Sequence, residues 1–517
     1  MSPTLLADAG SIPAPSVSYH ALAPILIVLS AAMLGVLAEA LVPRAERYVA
    51  QMGITIGGLA AALVTVGLLH GTSETTVAGA LAVDGTGLFI QGSVLALAIM
   101  SVLLISERSV DVGSAIVASA AVVVGSPTDR RLARTDRIQT EVFPLLLFAV
   151  SGMLIFPISN NLLLMFVALE VLSLPLYLMA GLSRRRRLLS QEAALKYFLL
   201  GAFASAFFLY GLALLYGYAN SVDLPAILSA SKSSSKSDVL LYVGLALLLV
   251  GLLFKAGIAP FHSWTPDVYQ GSPSPVTAFM ASCTKIAAFG AILRVLYVGF
   301  NATAWNWRPI IWAVAIASMA VGGIFGLTQT DLKRVLAYSS IAHAGFILVG
   351  VVALTQDGIS SVLFYLLTYS FSTMAAFGLL MLVRDADGEA THLAQWSGLA
   401  RKSPFVATVM TVLLMSMAGI PLTSGFIAKF SVFRAAYHVA APLVVIALVF
   451  SAVAAFYYLR IVVLMFFAEP PENGPTIAIP GWSTTVALTF GVVVTIVLGL
   501  FPQPILDLAA KAATLVG

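Results

Sequence analysis

The chain is 517 residues long, 60% hydrophobic and only 10% charged, with a mean hydropathy of +1.00. Soluble domains carry about a quarter charged residues, so this composition excludes a soluble globular protein and defines a polytopic membrane protein. The net charge of +4 comes from basic residues in short loops, which points to membrane topology and not to nucleic acid, and the single cysteine, Cys283, excludes an internal disulfide or a multi-thiolate metal site.

The first twenty residues contain no Lys or Arg, so the charged start of a cleaved signal peptide is missing and the first apolar run is expected to remain as a span. Runs long enough to cross a bilayer fall at 21–42, 52–70, 84–105, 142–158, 161–182, 191–217 and 239–258. They continue at 275–299, 309–327, 334–354, 358–383, 404–420 extending to 437, 441–467 and 481–501, about fourteen in all. A further apolar run, Val110–Val124, is short and rich in Ala and Val; it reads as loop or interfacial, with a re-entrant piece as the alternative. Lys and Arg collect on one side: Arg44, Arg47, Arg108, Arg130, Arg131, Arg134, Arg137, Arg184–Arg187, Lys333, Arg334, Arg384, Arg401 and Lys402. The other side holds little beyond Lys232, Lys236, Arg308 and Lys511. The positive-inside rule therefore predicts cytoplasmic odd-numbered loops and both termini outside.

Some charges belong to no loop. Glu170, Lys285 and Lys429 each have about ten mostly apolar or small residues on either side, which puts them near mid-membrane, where ionisable groups are costly and mark ion pathways. Lys255 ends the apolar run Leu240–Phe254 and is followed by the breaker Gly257-Ile-Ala-Pro260. It is either part of a pathway beside an interrupted helix or a residue snorkelling to the surface. Lys196, six residues past Ser190 on the arginine-rich side, is as consistent with snorkelling, and Arg294, Arg434 and Arg460 lie nearer segment ends.

Phe254-Lys-Ala-Gly-Ile-Ala-Pro260 in the seventh segment is echoed by Met417-Ala-Gly-Ile-Pro421 in the twelfth, five spans later. An odd offset reverses direction in the membrane, as in an inverted repeat with paired broken helices. The expected fold is an all-α polytopic membrane protein with two inverted five-helix repeats, each containing a broken helix. Residues 1–141 would be N-terminal helices and a charged loop, 142–299 the first repeat, 300–467 the second, and 468–517 a C-terminal helix.

The run His262-Ser-Trp-Thr-Pro-Asp-Val-Tyr-Gln-Gly-Ser-Pro-Ser-Pro-Val-Thr-Ala-Phe279, followed by Lys285-Ile-Ala, closely resembles the signature of the antiporter-like subunits of respiratory complex I and Mrp-type antiporters. Asp331-Leu-Lys-Arg-Val-Leu-Ala-Tyr-Ser-Ser-Ile-Ala-His343 and Pro421-Leu-Thr-Ser-Gly-Phe-Ile-Ala-Lys-Phe430 extend the likeness from the fifth helix to the thirteenth. The Val-Tyr-Gln-Gly form favours the complex I side over the alternative, a subunit of a multi-subunit cation/proton antiporter. The resemblance implies proton translocation, with Glu170 as carboxylate partner, Lys255 as its ion-pair partner and proton carrier, Lys285 as central relay and Lys429 as terminal carrier. Lys196 and His343 would extend a hydrated chain, with His262 and Tyr338 as further candidates. It also implies that NADH, flavin, iron–sulfur clusters and quinone sit on partner subunits, with no cofactor or metal in this chain. The partners would be an M-type antiporter-like subunit on one side, small K/J/A-type membrane subunits on the other, and lipid.

The chemistry fits the resemblance. A lysine that keeps its proton beside a carboxylate can release it in a desolvated site once that carboxylate is withdrawn, so a counter-charge that moves is switch enough. The chain has no nucleotide-binding glycine motif in a strand–helix context and no Walker lysine, and Gly322 with Gly326 has helix-packing spacing.

Overall fold

The structure, a computed structural model, describes residues 16–110, 114–117, 119, 122–132, 135, 139–233, 237–386, 388–472 and 474–516. Arg134, Arg137 and Lys236, counted above among the loop charges, lie outside the described residues. Helices α1 (Ala23–Leu41) and α2 (Arg44–Leu68) open the bundle. A hairpin of β1 (Glu74–Thr76) and β2 (Leu81–Val83), paired antiparallel, leads to α3 (Gly85–Ile105). There follow α4 (Val142–Ile155), α5 (Leu162–Ala180), α6 (Arg187–Ala219), α7 (Val239–Ala256), α8 (Trp264–Gly271) and α9 (Ser274–Gly299). The second half holds α10 (Ala304–Thr328), α11 (Leu332–Val352), α12 (Gln356–Leu380), α13 (Pro404–Ala418), α14 (Ser424–Phe467), α15 (Trp482–Leu500) and the short α16 (Gln503–Ala512). Among the described residues, twelve helices are long and apolar enough to cross a membrane, and two shorter apolar helices begin at Val142 and Pro404.

Helices α9, α11 and α12 are buried on nearly all sides and form the centre. The rim helices turn Leu, Val and Phe outward: Leu199, Phe203, Val445 and Phe456 are all exposed. Such a surface suits hydrocarbon and would aggregate in water. Small residues set the close contacts. A Cβ on Gly322 would lie 2.4 Å from the Ala342 nitrogen, so α10 and α11 pack backbone to backbone there.

The 44-residue α14 is two spans in line. Ala440 leaves helical geometry at φ −144° and ψ 39°, and Pro442 cannot donate back to the preceding turn. The twelfth span therefore consists of α13, a break and α14 up to this kink, and the thirteenth is the rest of α14. In the same way the seventh is α7, a break and α8.

The described part of Val110–Val124 is irregular backbone, in keeping with the loop reading, and is pinned to the turn after α5, with Val117 N–H donating to Leu182 O at 2.8 Å and Arg184 Nε to Ile116 O at 3.0 Å; Ile116 and Val117 are buried. The structure differs from the sequence reading at two places. Lys333, read as a loop charge, is buried on the first turn of α11 and paired with Glu389 at 2.6 Å. Arg294 does not snorkel. It is fully buried, 2.7 Å from an equally buried Asp84, and also donates to Pro157 O, Asn160 Oδ1 and Val516 O. Arg434 and Arg460 are exposed.

Candidate functional site

The two helix breaks have the same construction. Gly257 follows α7 at φ +68° and Gly419 follows α13 at φ +81°, the left-handed conformation that glycine adopts without strain. At the first, Gly257 N–H reaches back to Leu253 and Phe254, and Ile258 N–H donates to Leu253 O. At the second, Gly419 N–H reaches Met415 and Ser416, and Ile420 N–H donates to Met415 O. The closing turns leave the last carbonyls, those of Ala256 and Ala418, pointing beyond the helix. They carry the negative end of the helix dipole in a place with little water.

Lysine amines occupy both carbonyls. Lys285 Nζ donates to Ala256 O at 3.3 Å and to Ser340 O of α11 at 2.7 Å. Lys429 Nζ donates to Ala418 O at 2.8 Å and to Ser451 Oγ at 2.9 Å. The third amine, Lys255 on the last turn of α7, donates to Ser173 Oγ of α5 at 2.8 Å and to Tyr197 OH of α6 at 3.2 Å. All three are at most 5% exposed, which places them inside the bundle and away from its lipid-facing surface. Each ammonium also lies over an aromatic face: Tyr197 at 5.4 Å, Tyr369 at 5.9 Å and Phe346 at 5.0 Å.

Glu170 lies one turn before Ser173 on α5. Its Oε1 is buried and lacks a hydrogen-bond partner, and among the described residues no ion pair joins it to Lys255, although its charge acts on that amine. The expected contact pair is therefore separated, with the Ser173 and Tyr197 hydroxyls holding the amine.

His343 stands between the second and third amines. Its Nδ1 meets Tyr365 OH at 2.8 Å, its Nε2 meets Tyr458 OH at 3.2 Å, and its ring lies 4.4 Å from that of Tyr369. Both Lys285 and Lys429 act on it electrostatically. A cavity of about 10 Å³ lined by His343, Tyr365, Tyr369, Ser416 and Gly425 joins the histidine to the second break, room for about one water. Tyr458 OH in turn meets Ser339 Oγ. A run of polar groups thus extends from Lys255 past the first break to Lys285, through His343 and its tyrosines, to Lys429.

The remaining candidates lie elsewhere. Lys196 is half-exposed, in ion pairs with Glu192 and Asp267, both at 2.7 Å; Asp267 also pairs with Arg334 at 2.7 Å. That is a surface network, as the snorkelling alternative expected. Tyr338 packs its ring against Phe325 at 6.0 Å. His262 sits in the first break with a buried, unpartnered Nδ1. Sequence reasoning missed Ser173, Tyr197, Tyr365, Tyr369, Ser451 and Tyr458; being hydroxyl residues scattered in apolar helices, they carry no distinctive signal.

Paired helix breaks with lysines on the released carbonyls, inside a bundle of membrane-length helices, define the class of antiporter-like membrane subunits. The family model for the NADH:quinone oxidoreductase/Mrp antiporter transmembrane region matches residues 159–455. NADH-quinone oxidoreductase subunit N of Saccharopolyspora erythraea is 59% identical over 503 residues, covering 96% of this chain and 98% of that one. The protein of the same name from Mycobacterium tuberculosis is 52% identical over 528 residues, covering 98% and 99%. Among solved structures, a chain of respiratory complex I from Thermus thermophilus superposes with a TM-score of 0.75 at 36% identity, covering 94% of this chain and 99% of that one. A chain of the Mrp complex from a Dietzia species superposes at 0.81 with 23% identity, covering 96% and 97%, a likeness of fold. The chain belongs to the NADH:quinone oxidoreductase/Mrp antiporter family, and within it to the subunit N group.

Proposed function

We propose that this chain is a proton-translocating membrane subunit of a respiratory NADH:quinone oxidoreductase. Protons pass along its buried amines, driven by quinone reduction elsewhere in the complex. The observation that carries the reading is the placement of Lys285 and Lys429 on the terminal carbonyls of the two interrupted helices. Such an amine keeps neutral acceptors, two backbone carbonyls for Lys285 and a carbonyl and a hydroxyl for Lys429, so it can lose and regain a proton without reorganising the fold. Lys255 would exchange its proton under the control of Glu170, which lies near it with one oxygen free to accept a new partner. Lys285 would be the central relay, His343 with Tyr365 and Tyr458 the bridge, and Lys429 the terminal carrier. Within this reading, residues 142–299 and 300–467 are the two inverted repeats.

NADH, flavin, iron–sulfur clusters and quinone would be held by partner subunits. The neighbours would be an M-type antiporter-like subunit on one face and small K/J/A-type subunits on the other, in the bacterial cell membrane with both termini outside. The alternative, a subunit of a multi-subunit cation/proton antiporter, shares the fold, but relatives at 52–59% identity over nearly the whole chain carry the oxidoreductase name.

Inverted membrane vesicles bearing the complex with Lys285→Ala test this. NADH-driven proton uptake is expected to fall roughly a hundredfold, the scale of losing a positioned proton carrier, with quinone reduction slowing in step because the two are coupled. Unchanged pumping in an assembled complex overturns the role. Proton movement driven by a sodium gradient and indifferent to NADH supports the alternative.

A further inference from the structure

A cavity of about 490 Å³ opens sideways between α2, α3, α12 and α16, away from the lysine chain. Helix α3 is otherwise enclosed, yet it turns Gly85, Phe89, Gly92 and Ala96 into this space, one face of the helix at spacings of four, three and four. From Gly85 to Ala96 the cavity runs about 16 Å along the helix axis. Its inner wall includes Leu367, eleven residues into α12, which starts from the same face of the membrane, so both walls end at about the same depth. That depth is about half the 30 Å hydrocarbon core, the reach of one leaflet. The rim is polar and basic, with exposed His70 at the end of α2 and exposed Lys511 on the last turn of α16.

We infer that this slot binds one phospholipid with an anionic headgroup, its acyl chain against α3 and its phosphate at Lys511 and His70. A cleft open to the hydrocarbon fills with whatever apolar matter is at hand, and the depth selects what that is. A transmembrane helix runs through the whole core of about 30 Å, twice the depth of the slot, whereas an acyl chain reaches through one leaflet only. The basic rim then selects among lipids, since a lysine near the surface favours an anionic headgroup by about fivefold in affinity. The occupied slot would press on α12 at Leu367, between Tyr365 and Tyr369. The site is independent of the proton-transfer reading.

The test uses the complete complex, purified in mild detergent and exchanged with dioleoylphosphatidylglycerol or dioleoylphosphatidylcholine, with bound lipid counted by native mass spectrometry. Gly92→Leu fills the slot at mid-depth; a Cβ there meets only Val66, at 3.5 Å, so the backbone accepts it. Wild type is expected to keep one phosphatidylglycerol that Gly92→Leu lacks. Lys511→Ala is expected to keep a lipid but to lose about fivefold of the preference for phosphatidylglycerol over phosphatidylcholine. Should Gly92→Leu fail to assemble, Ala96→Phe fills the same space. Equal lipid counts in wild type and the filled variant, an unchanged headgroup preference in Lys511→Ala, or a map of the complex with protein side chains in the slot each overturn the inference.

Discussion

A buried ammonium is tolerable only where its charge is met, and this chain meets it in two ways. Lys255, Lys285 and Lys429 are held by neutral oxygens, hydroxyls or backbone carbonyls, which solvate the cation without fixing it as a salt bridge would. Lys333 and Arg294 are held by carboxylates and are structural by the same logic. Lys285 and Lys429 were legible in the sequence, because a lone lysine with about ten apolar neighbours on each side is too far from either surface to reach water, whereas Lys255, beside its breaker, read equally as snorkelling. Lys333 was not, since its place at a span's edge matched a solvated loop and its partner Glu389 lies 56 residues away in a segment with no motif. For that pair a pH effect follows. Burial works to raise the Glu389 carboxyl, but Lys333, Ser274 and Arg384 together outweigh it and hold it below its ordinary value of 4.5. A depressed carboxyl stabilises the fold above the unfolded-state value and loses that contribution as pH falls through its folded one. Glu389→Gln, which strands Lys333 uncompensated, is expected to cost roughly 3 kcal/mol at pH 7. The gap between variant and wild type in thermal unfolding of the purified complex should narrow below pH 4.5. A gap constant down to about pH 3 would remove the ion pair from the account.

At the scale of elements, what the sequence made legible was where helices stop. Gly-Ile-Ala-Pro260 and Gly-Ile-Pro421 announced two breaks, and both lie at the glycine, which turns the chain left-handed ahead of the proline. What it hid was register. Met280–Thr284, just before Lys285, is π-helical, as is Val295–Gly299 at the end of α9. The first of these bulges rotates the following turn and so helps aim Lys285, yet nothing in the residue pattern marks either one. The lysine-to-carbonyl contacts, which carry the proposed function, depend on that register and were out of reach of periodicity. The breaks themselves can be tested by restoring a Cβ. At Gly419 it would meet Lys429 Cδ at 2.9 Å and Nζ at 3.2 Å, and the left-handed turn would add about 1–2 kcal/mol of strain. Gly419→Ala should leave assembly intact while dislodging the amine from Ala418, lowering pumping per NADH oxidised in vesicles. Gly67→Ala, whose Cβ meets nothing within 4 Å, is the control and should pump as wild type.

For the whole molecule, the two ends of the bundle are chemically unlike, and that difference bears on how the chain is oriented in the membrane. The turns after α5, α8, α10 and α12 converge on one end, where Lys196, Asp267, Arg334 and Gln270 interlock and Glu389 ties Lys333 to Ser274. The opposite end carries the β1–β2 hairpin, α16 and the Arg294–Asp84 pair. If the arginine-rich end is cytoplasmic, as positive charge in short loops dictates, a probe that cannot cross the membrane reads the orientation directly. The native background is clean, because Cys283 is completely buried. Cysteines at two exposed positions on opposite ends, Arg401→Cys and Gln503→Cys, serve as reporters. In intact cells an impermeant maleimide should label Gln503→Cys and spare Arg401→Cys; in inverted vesicles the pattern should reverse, with labelling after denaturation giving the full count for each. The converse pattern would turn the molecule over.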